Sequence, residues 1–220
     1  MIAPSGETFT VAIVDDHVLM RIAIVNLLTT HNNYSVSIQA ENGKQLLDQV
    51  DSLGLPDIIL LDINMPVMDG FETMAVLKKR FKNPNVVALS MYNDHTAILR
   101  MVSLGINGYL LKTSEAEEIL MALDIVKTNG QYFSNTVNAK LFEASKNDLY
   151  RKITSLRQKE LTFLKHLCTG ITYNEIAAKM YLSHHTVEEY RDTLFQKFAI
   201  RNKTELVLFA LKHKLVEIEQ

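Results

Sequence analysis

Four points along this chain place reactive side chains directly after apolar runs: Asp15 and Asp16 follow Val14, Asp62 follows Leu61, Ser90 follows Leu89 and Lys112 follows Leu111. Three carboxylates brought together repel one another, and a hard divalent cation is the usual remedy. Mg2+ suits such a pocket because it needs few protein ligands, keeps its waters and shares a phosphate oxygen readily. A lysine ammonium and a serine hydroxyl supply the donors that hold a tetrahedral oxyanion after Asp62 attacks phosphorus. Singly these are ordinary turn residues. In the order acid pair, acid, hydroxyl and lysine they read as phosphoryl transfer to a carboxylate.

For the four points to meet, the runs before them must be parallel strands ending on one edge, where neighbouring ends lie about 5 Å apart. The first half of the chain has that rhythm, with short β-branched runs alternating with amphipathic stretches. Strands are predicted at Phe9–Val14, Ser35–Ala40, Asp57–Leu61, Val86–Leu89 and Gly108–Leu111, each followed by a helix. The fifth helix is predicted to open at Ser114 with Glu117 in capping-box spacing. From Asn129 the pattern fades into a polar stretch to Tyr150, with one short helix expected around Val137–Ala144. Beyond Arg151 there is no strand pattern and no proline. Ser155 with Gln158 opens a helix that Gly170 closes; Thr172 with Glu175 opens the next, and Asn202 with Glu205 the last. The organisation is an α/β domain over 1–128, a linker over 129–150 and a small all-helical domain over 151–220.

With 47% hydrophobic and 22% charged residues the 220-residue chain has the composition of folded globular proteins. Its longest strongly apolar strand core, Ile58 to Leu61, is far too short to cross a bilayer, and Met1 to Thr10 lacks a signal-peptide pattern, so a cytoplasmic protein is expected. Up to residue 150 there are 11 basic and 17 acidic residues, and beyond it 12 and 8, giving nets of −6 and +4. A positive excess in the helical half suits nucleic acid. The single cysteine, Cys168, falls in an apolar helical stretch and reads as a structural thiol.

The runs Val14-Asp15-Asp16-His17, Asp62-Ile63-Asn64-Met65-Pro66-Val67-Met68-Asp69-Gly70, Leu89-Ser90 and Gly108-Tyr109-Leu110-Leu111-Lys112 resemble the motifs of response-regulator receiver domains. The resemblance covers roughly residues 8 to 128. It implies a flavodoxin-like, doubly wound, five-stranded parallel sheet, with Asp62 as phosphoacceptor. It further implies Mg2+ held by Asp15, Asp16, Asp62 and the Asn64 carbonyl, Lys112 on the phosphoryl group, and Ser90 with Tyr109 as a switch pair. Thr113 departs from the proline that often follows the lysine in that family.

Thr172–Met180 and His184–Phe198 are predicted helices joined by a three-residue turn, with Ile176, Ala177 and Met180 facing Val187, Leu194 and Phe198. Glu160, Gly170, Asn174-Glu175-Ile176-Ala177, Ser183, Thr186-Val187, Arg191, Lys197 and Asn202 resemble the helix-turn-helix domain of NarL/LuxR (FixJ) class response regulators, from about Ile153 to Val216. The resemblance implies that the helix beginning at His184 enters the major groove of double-stranded DNA. His184, His185, Glu188, Glu189, Arg191 and Asp192 on that helix, with Lys179, Lys197, Arg201 and Lys203 around it, are the candidate DNA contacts. The acids at 188, 189 and 192 depart from familiar members; they can accept from cytosine N4 but oppose phosphates. Adjacent His184 and His185 point about 100° apart and do not read as a metal site.

The expected function is a phosphorylation-dependent, DNA-binding transcriptional regulator that dimerises; that a sensor histidine kinase supplies its phosphoryl group is implied by the family resemblance alone. It would be no enzyme beyond its own phosphoryl transfer and dephosphorylation. Two alternatives stay open: a receiver attached to a protein-binding helical domain, and a Mg2+-dependent aspartyl phosphohydrolase. Against the latter, Asn64 stands where such enzymes commonly carry a second acid.

Overall fold

The computed structural model describes residues 8–31, 33–91, 95–145, 148–213 and 215–216. Residues 1–7 of the expected first domain, and Lys146 and Asn147 of the expected linker, lie outside them. The chain divides into two compact units, the first running to Lys140 except for His95–Leu99, the second taking His95–Leu99 and the chain from Leu141 onward.

Along the first part of the chain, strands β1 (Phe9–Val14), β2 (Tyr34–Ala40), β3 (Ile58–Asp62), β4 (Val86–Ser90), β5 (Gly108–Leu111) and β6 (Tyr132–Phe133) alternate with helices α1 (Val18–Thr29), α2 (Gly43–Leu53), α3 (Gly70–Arg80), α4 (His95–Ser103) and α5 (Ala116–Asn129); all belong to the first unit except His95–Leu99 of α4. The sheet is parallel in the order β2-β1-β3-β4-β5-β6. Strand pleating sends Val11, Ile13, Ile58, Leu60, Val87 and Leu89 to one face, where they meet Ile24 and Leu28 of α1 and Ile119, Leu123 and Val126 of α5. The central strands β3 and β4 are buried along their whole length, as parallel strands covered on both faces must be. Asn42 caps α2 through the Gln45 amide, and Asp69 with Glu72 forms a capping box on α3.

The expected five strands are present, with bounds moved by at most a residue. Asp57 stays outside β3 because its N–H goes to the Thr10 hydroxyl at 3.0 Å while its carboxylate accepts from Thr10 N–H and Oγ1. The sixth strand was not expected. Asn107 builds it: its carbonyl accepts from Tyr132 N–H, and its side chain bridges Val86 N–H and the Gly130 carbonyl. The fifth helix starts later than Ser114 with Glu117 suggests. Its N-cap is Glu115, because Ser114 N–H closes a turn on the Leu111 carbonyl.

The second unit holds α7 (Asp148–Thr154), α8 (Gln158–Cys168), α9 (Tyr173–Met180), α10 (His184–Phe198) and α11 (Lys203–Lys212), while α6 (Asn135–Ser145) spans the division between the units. α6 extends the short helix expected around Val137–Ala144, and α7 crosses the expected boundary at 150. Ser155 does not cap α8: its hydroxyl returns to the Lys152 carbonyl, and Glu160 instead accepts from Arg157 N–H at 2.6 Å. The Thr172–Glu175 and Asn202–Glu205 caps form as expected. Ile153, Phe163, Leu164, Leu167, Ile176, Ala177, Val187, Leu194, Leu206 and Ala210 make the core, with Met180 and Phe198 partly buried against it. Tyr181, in the left-handed region at φ 55°, turns the chain between α9 and α10, and Ser183 caps α10 through the Thr186 amide. No helix among the described residues is long and apolar enough to cross a membrane.

Candidate functional site

The ends of β1, β3, β4 and β5 are held level by strand register, with Val14 opposite Leu61, Asp62 opposite Leu89 and Ser90 opposite Leu111. This edge includes the point where the strand order reverses between β1 and β3, the crevice in which open α/β sheets bind ligands. Asp15 is fully buried and Asp62 is 2% exposed. Lys112 Nζ lies 2.7 Å from Asp62 Oδ2, which accepts its hydrogen bond, and 2.7 Å from Asp15 Oδ2 in an ion pair outside hydrogen-bond geometry. Asn64 N–H donates to Asp62 Oδ1 at 3.2 Å. Lys112 is fixed in turn by its own N–H on the Ser90 carbonyl.

Burial pushes the Asp62 carboxyl up to about 6, Asp15 adds to the rise, and Lys112 with the Asn64 amide opposes it. Burial pulls the Lys112 ammonium down, but Asp15 and Asp62 together win and hold its pKa above the usual value. Gly70 is required here because a Cβ at that position would stand 2.5 Å from the Asp62 carbonyl oxygen and 2.7 Å from Ile63 Cα. Its N–H closes the loop on the Ile63 carbonyl at 2.8 Å.

Asp15, Asp16, Asp62 and His17 each offer a ligand atom, all within 4.8 Å of one another. Two buried oxygens there, Asp15 Oδ2 and Asp16 Oδ1, make no hydrogen bond. Each is in close polar contact with a neighbour, Asp15 Oδ2 with Lys112 and Asp16 Oδ1 with His17, and converging carboxylates of this kind fit a hard divalent cation. His17 is the residue that sequence reasoning passed over. It directly follows the acid pair, and its Nδ1 sits 2.8 Å from Asp16 Oδ1. Ser90 and Tyr109 are both buried, on the neighbouring strands β4 and β5.

In the second unit the expected DNA contacts fall into two groups. Lys179 and Arg201 are exposed. Lys197 and Lys203 spend donors within the domain: Lys197 Nζ reaches the Ser155 carbonyl at 3.2 Å and Glu160 at 3.9 Å, and Lys203 Nζ the Ile171 carbonyl at 2.9 Å. On α10, Val187 and Leu194 face the core while His185, Glu189 and Asp192 are exposed. The two histidines do not converge. His184 pairs with Glu188 and His185 with Glu189, each one turn on.

Residues 11–124 match the family model for the response regulator receiver domain, and residues 154–210 that for bacterial regulatory proteins of the luxR family. Response regulator protein VraR of Staphylococcus saprophyticus is 30% identical over 209 residues, covering 94% of this chain and 98% of VraR. The DNA-binding transcriptional activator EvgA of Escherichia coli is 29% identical over 203 residues, covering 92% and 98%. The fold is shared with RcsB of Salmonella enterica serovar Typhimurium in its promoter-bound structure, at TM-score 0.66 and 24% identity over 92% of this chain and 98% of that one. The chain therefore belongs to the response regulators that join a receiver domain to a LuxR-family regulatory domain.

Proposed function

We propose that Asp62 accepts a phosphoryl group from a sensor histidine kinase and that its phosphorylation controls dimerisation and DNA binding in the cytoplasm. Residues 1–128 act as the receiver, 129–150 as linker and 151–220 as the DNA-binding domain. The observation that carries this reading is the buried Asp62 carboxylate, set between Lys112 and Asp15 at the strand-order reversal. Its Oδ1 accepts at 3.2 Å and its Oδ2 at 2.7 Å, so Oδ1 is the oxygen freer to attack phosphorus. As the new P–O bond forms and the donor's bond to phosphorus breaks, Lys112 remains beside the site to hold a phosphoryl oxygen.

Asp15, Asp16, Asp62 and the Asn64 carbonyl would hold Mg2+, which when bound neutralises charge on the phosphoryl oxygens. Ser90 and Tyr109, on adjacent strands, serve as the switch pair. Attack of water on phosphorus would break the bond to Asp62, release inorganic phosphate and restore the carboxylate; beyond these two reactions at its own Asp62 the chain would act as no enzyme. The DNA-binding half of the reading is supported by the luxR-family match and by EvgA, a DNA-binding transcriptional activator that this chain matches along nearly the whole of both sequences.

The test is intact-mass measurement with a small acyl phosphate and Mg2+, together with selection of bound duplexes from a random pool. One phosphoryl group is expected on Asp62, prevented by Asp62→Asn or by chelation. Equal modification of the Asp62→Asn protein would overturn the site assignment. An empty selection with the phosphorylated protein would turn the second domain into a protein-binding one.

A further inference from the structure

We propose that Glu188 and Asp192 are positioning residues that hold the Arg191 guanidinium as a fixed two-donor fork for duplex DNA, and do not themselves read bases. This rests on the DNA-binding reading above.

Arg191 Nε donates to Asp192 Oδ1 at 2.8 Å and Nη2 to Asp192 Oδ2 at 3.2 Å, a side-on bidentate pair. Nη1 donates to Glu188 Oε1 at 3.2 Å. Three of the five guanidinium N–H groups are used by these bonds, leaving one on each Nη, and the Tyr173 hydroxyl lies close enough to the guanidinium to compete for one of them. Such a pair, one N–H from each Nη, is what a guanidinium presents to guanine O6 and N7.

The geometry of α10 gives these bonds their meaning. Arg191 sits beside the core-facing stripe of Val187 and Leu194, whereas Asp192 is on the exposed side. Consecutive helical side chains point about 100° apart. Arg191 therefore reaches Asp192 only by carrying its guanidinium round toward the exposed face. Tyr173 supports the near flank, its ring centroid 5.5 Å from Arg191 Cζ. That ring is itself stacked on the buried Phe163 at 6.4 Å, with 14° between the planes. The guanidinium is thus oriented from two sides while its side chain keeps 24% of its surface open. Exposed ion pairs add little to stability, so three such bonds on one arginine matter chiefly for where they point it.

The proposal reverses the sign expected from charge alone. Removing an acid from a DNA-facing helix should strengthen binding to every duplex. If the acids aim Arg191, Glu188→Gln and Asp192→Asn should instead weaken the selected duplex relative to a random one. The experiment measures the ratio of affinities for a pool-selected duplex and a random duplex, with phosphorylated full-length protein, for the parent, Glu188→Gln, Asp192→Asn, Arg191→Lys and Arg191→Ala. Each of these is also combined with Arg191→Ala where it is not itself at 191, and all are checked for unchanged helix content and melting temperature.

The ratio is expected to fall about 10-fold for Arg191→Ala and at least 3-fold for the two acid variants. In the Arg191→Ala background the acid variants should no longer lower it. Arg191→Lys keeps the charge and should still lose most of the ratio, because an ammonium has no fork. Replacing guanines by 7-deazaguanine tests the acceptor: a loss of the ratio matching that of Arg191→Ala places the fork on guanine and supports the positioning role, whereas no loss, with a shallower salt slope and both duplexes weakened alike on removing Arg191, places the guanidinium on phosphate and ends the proposal. Acid variants that raise both affinities equally, with or without Arg191, would leave the acids as simple repulsion and end the proposal. A parent protein that binds no duplex ends both this proposal and the DNA-binding reading; a parent that binds, with an unchanged ratio in Arg191→Ala, ends this one alone.

Discussion

Lys112 Nζ stands 2.7 Å from Asp62 Oδ2 with both side chains almost wholly buried, so each is the other's replacement for water. Asp15 shares the same ammonium. Replacing Lys112 by Met keeps the apolar stem and deletes the charge, leaving two buried carboxylates facing each other. Breaking a buried pair from one side costs about 3–5 kcal/mol. Lys112→Met is therefore expected to lower the denaturant midpoint strongly in the presence of a chelator. Mg2+ should recover more stability in the variant than in the parent, because the cation then supplies the missing charge. A variant as stable as the parent in chelator would mean that the pair does not hold the pocket together.

Asp62 also sets a pH dependence. Its folded-state pKa, about 6, lies above the unfolded value of 3.8, so the folded chain binds this proton more tightly. The stabilisation is complete below pH 3.8 and is lost as the pH rises through about 6. Asn carries no such cost. In metal-free buffer Asp62→Asn should gain stability over the parent between pH 4 and pH 7, approaching a ceiling of about 3 kcal/mol. Chemical denaturation at several pH values reads this directly, and a difference that stays flat over that range would contradict it.

Gly70 tests whether the loop after Asp62 must approach so closely. Both nearest obstacles to a Cβ are backbone atoms, the Asp62 carbonyl oxygen and Ile63 Cα, and neither can swing aside as a side chain would. Gly70→Ala is expected to cost roughly 1–3 kcal/mol, the range for overpacking. It should also slow phosphorylation, because the displaced segment carries Asp62 itself. Normal stability and a normal rate of mass increase with an acyl phosphate would show that the loop tolerates the shift.

Much of the candidate site's geometry was legible because Asp15, Asp62, Ser90 and Lys112 each follow an apolar run long enough to be a strand. Val14, Leu61, Leu89 and Leu111 announce where the chain leaves the core, and the parallel register then brings the following residues level. The two-residue strand at Tyr132–Phe133 has no period to detect and exists through Asn107, whose bonds to residues 86, 130 and 132 are tertiary. Ser155 looked like a cap because its spacing to Gln158 is right, yet its hydroxyl had a nearer acceptor at the end of α7. The acids of α10 were legible as exposed, but their grip on Arg191 was not, since one of the two partners is its immediate neighbour in sequence. Helical neighbours ordinarily do not face each other.

The same distinction between exposed and engaged side chains governs salt dependence. Lys179 and Arg201 are exposed, whereas Lys197 and Lys203 already donate to the Ser155 and Ile171 carbonyls. Every neutralised phosphate adds about 0.9 to the slope of log affinity against log salt. Lys179→Ala and Arg201→Ala are each expected to flatten that slope by close to this amount on selected and random duplexes alike, with no change in melting temperature. Lys197→Ala should flatten it less and lower the melting temperature, since it removes the cation beside buried Glu160, whose carboxylate holds the start of α8. Lys203→Ala should likewise act on stability first, because its ammonium ties α11 to the segment before α9 and lies 5.6 Å from the Tyr173 ring. Salt titrations and thermal melts of the four variants decide the matter. Equal slope changes for all four with unaltered melting would mean that Lys197 and Lys203 release their internal partners for phosphate at no cost, and that the bonds seen in the free domain do not limit its electrostatic reach.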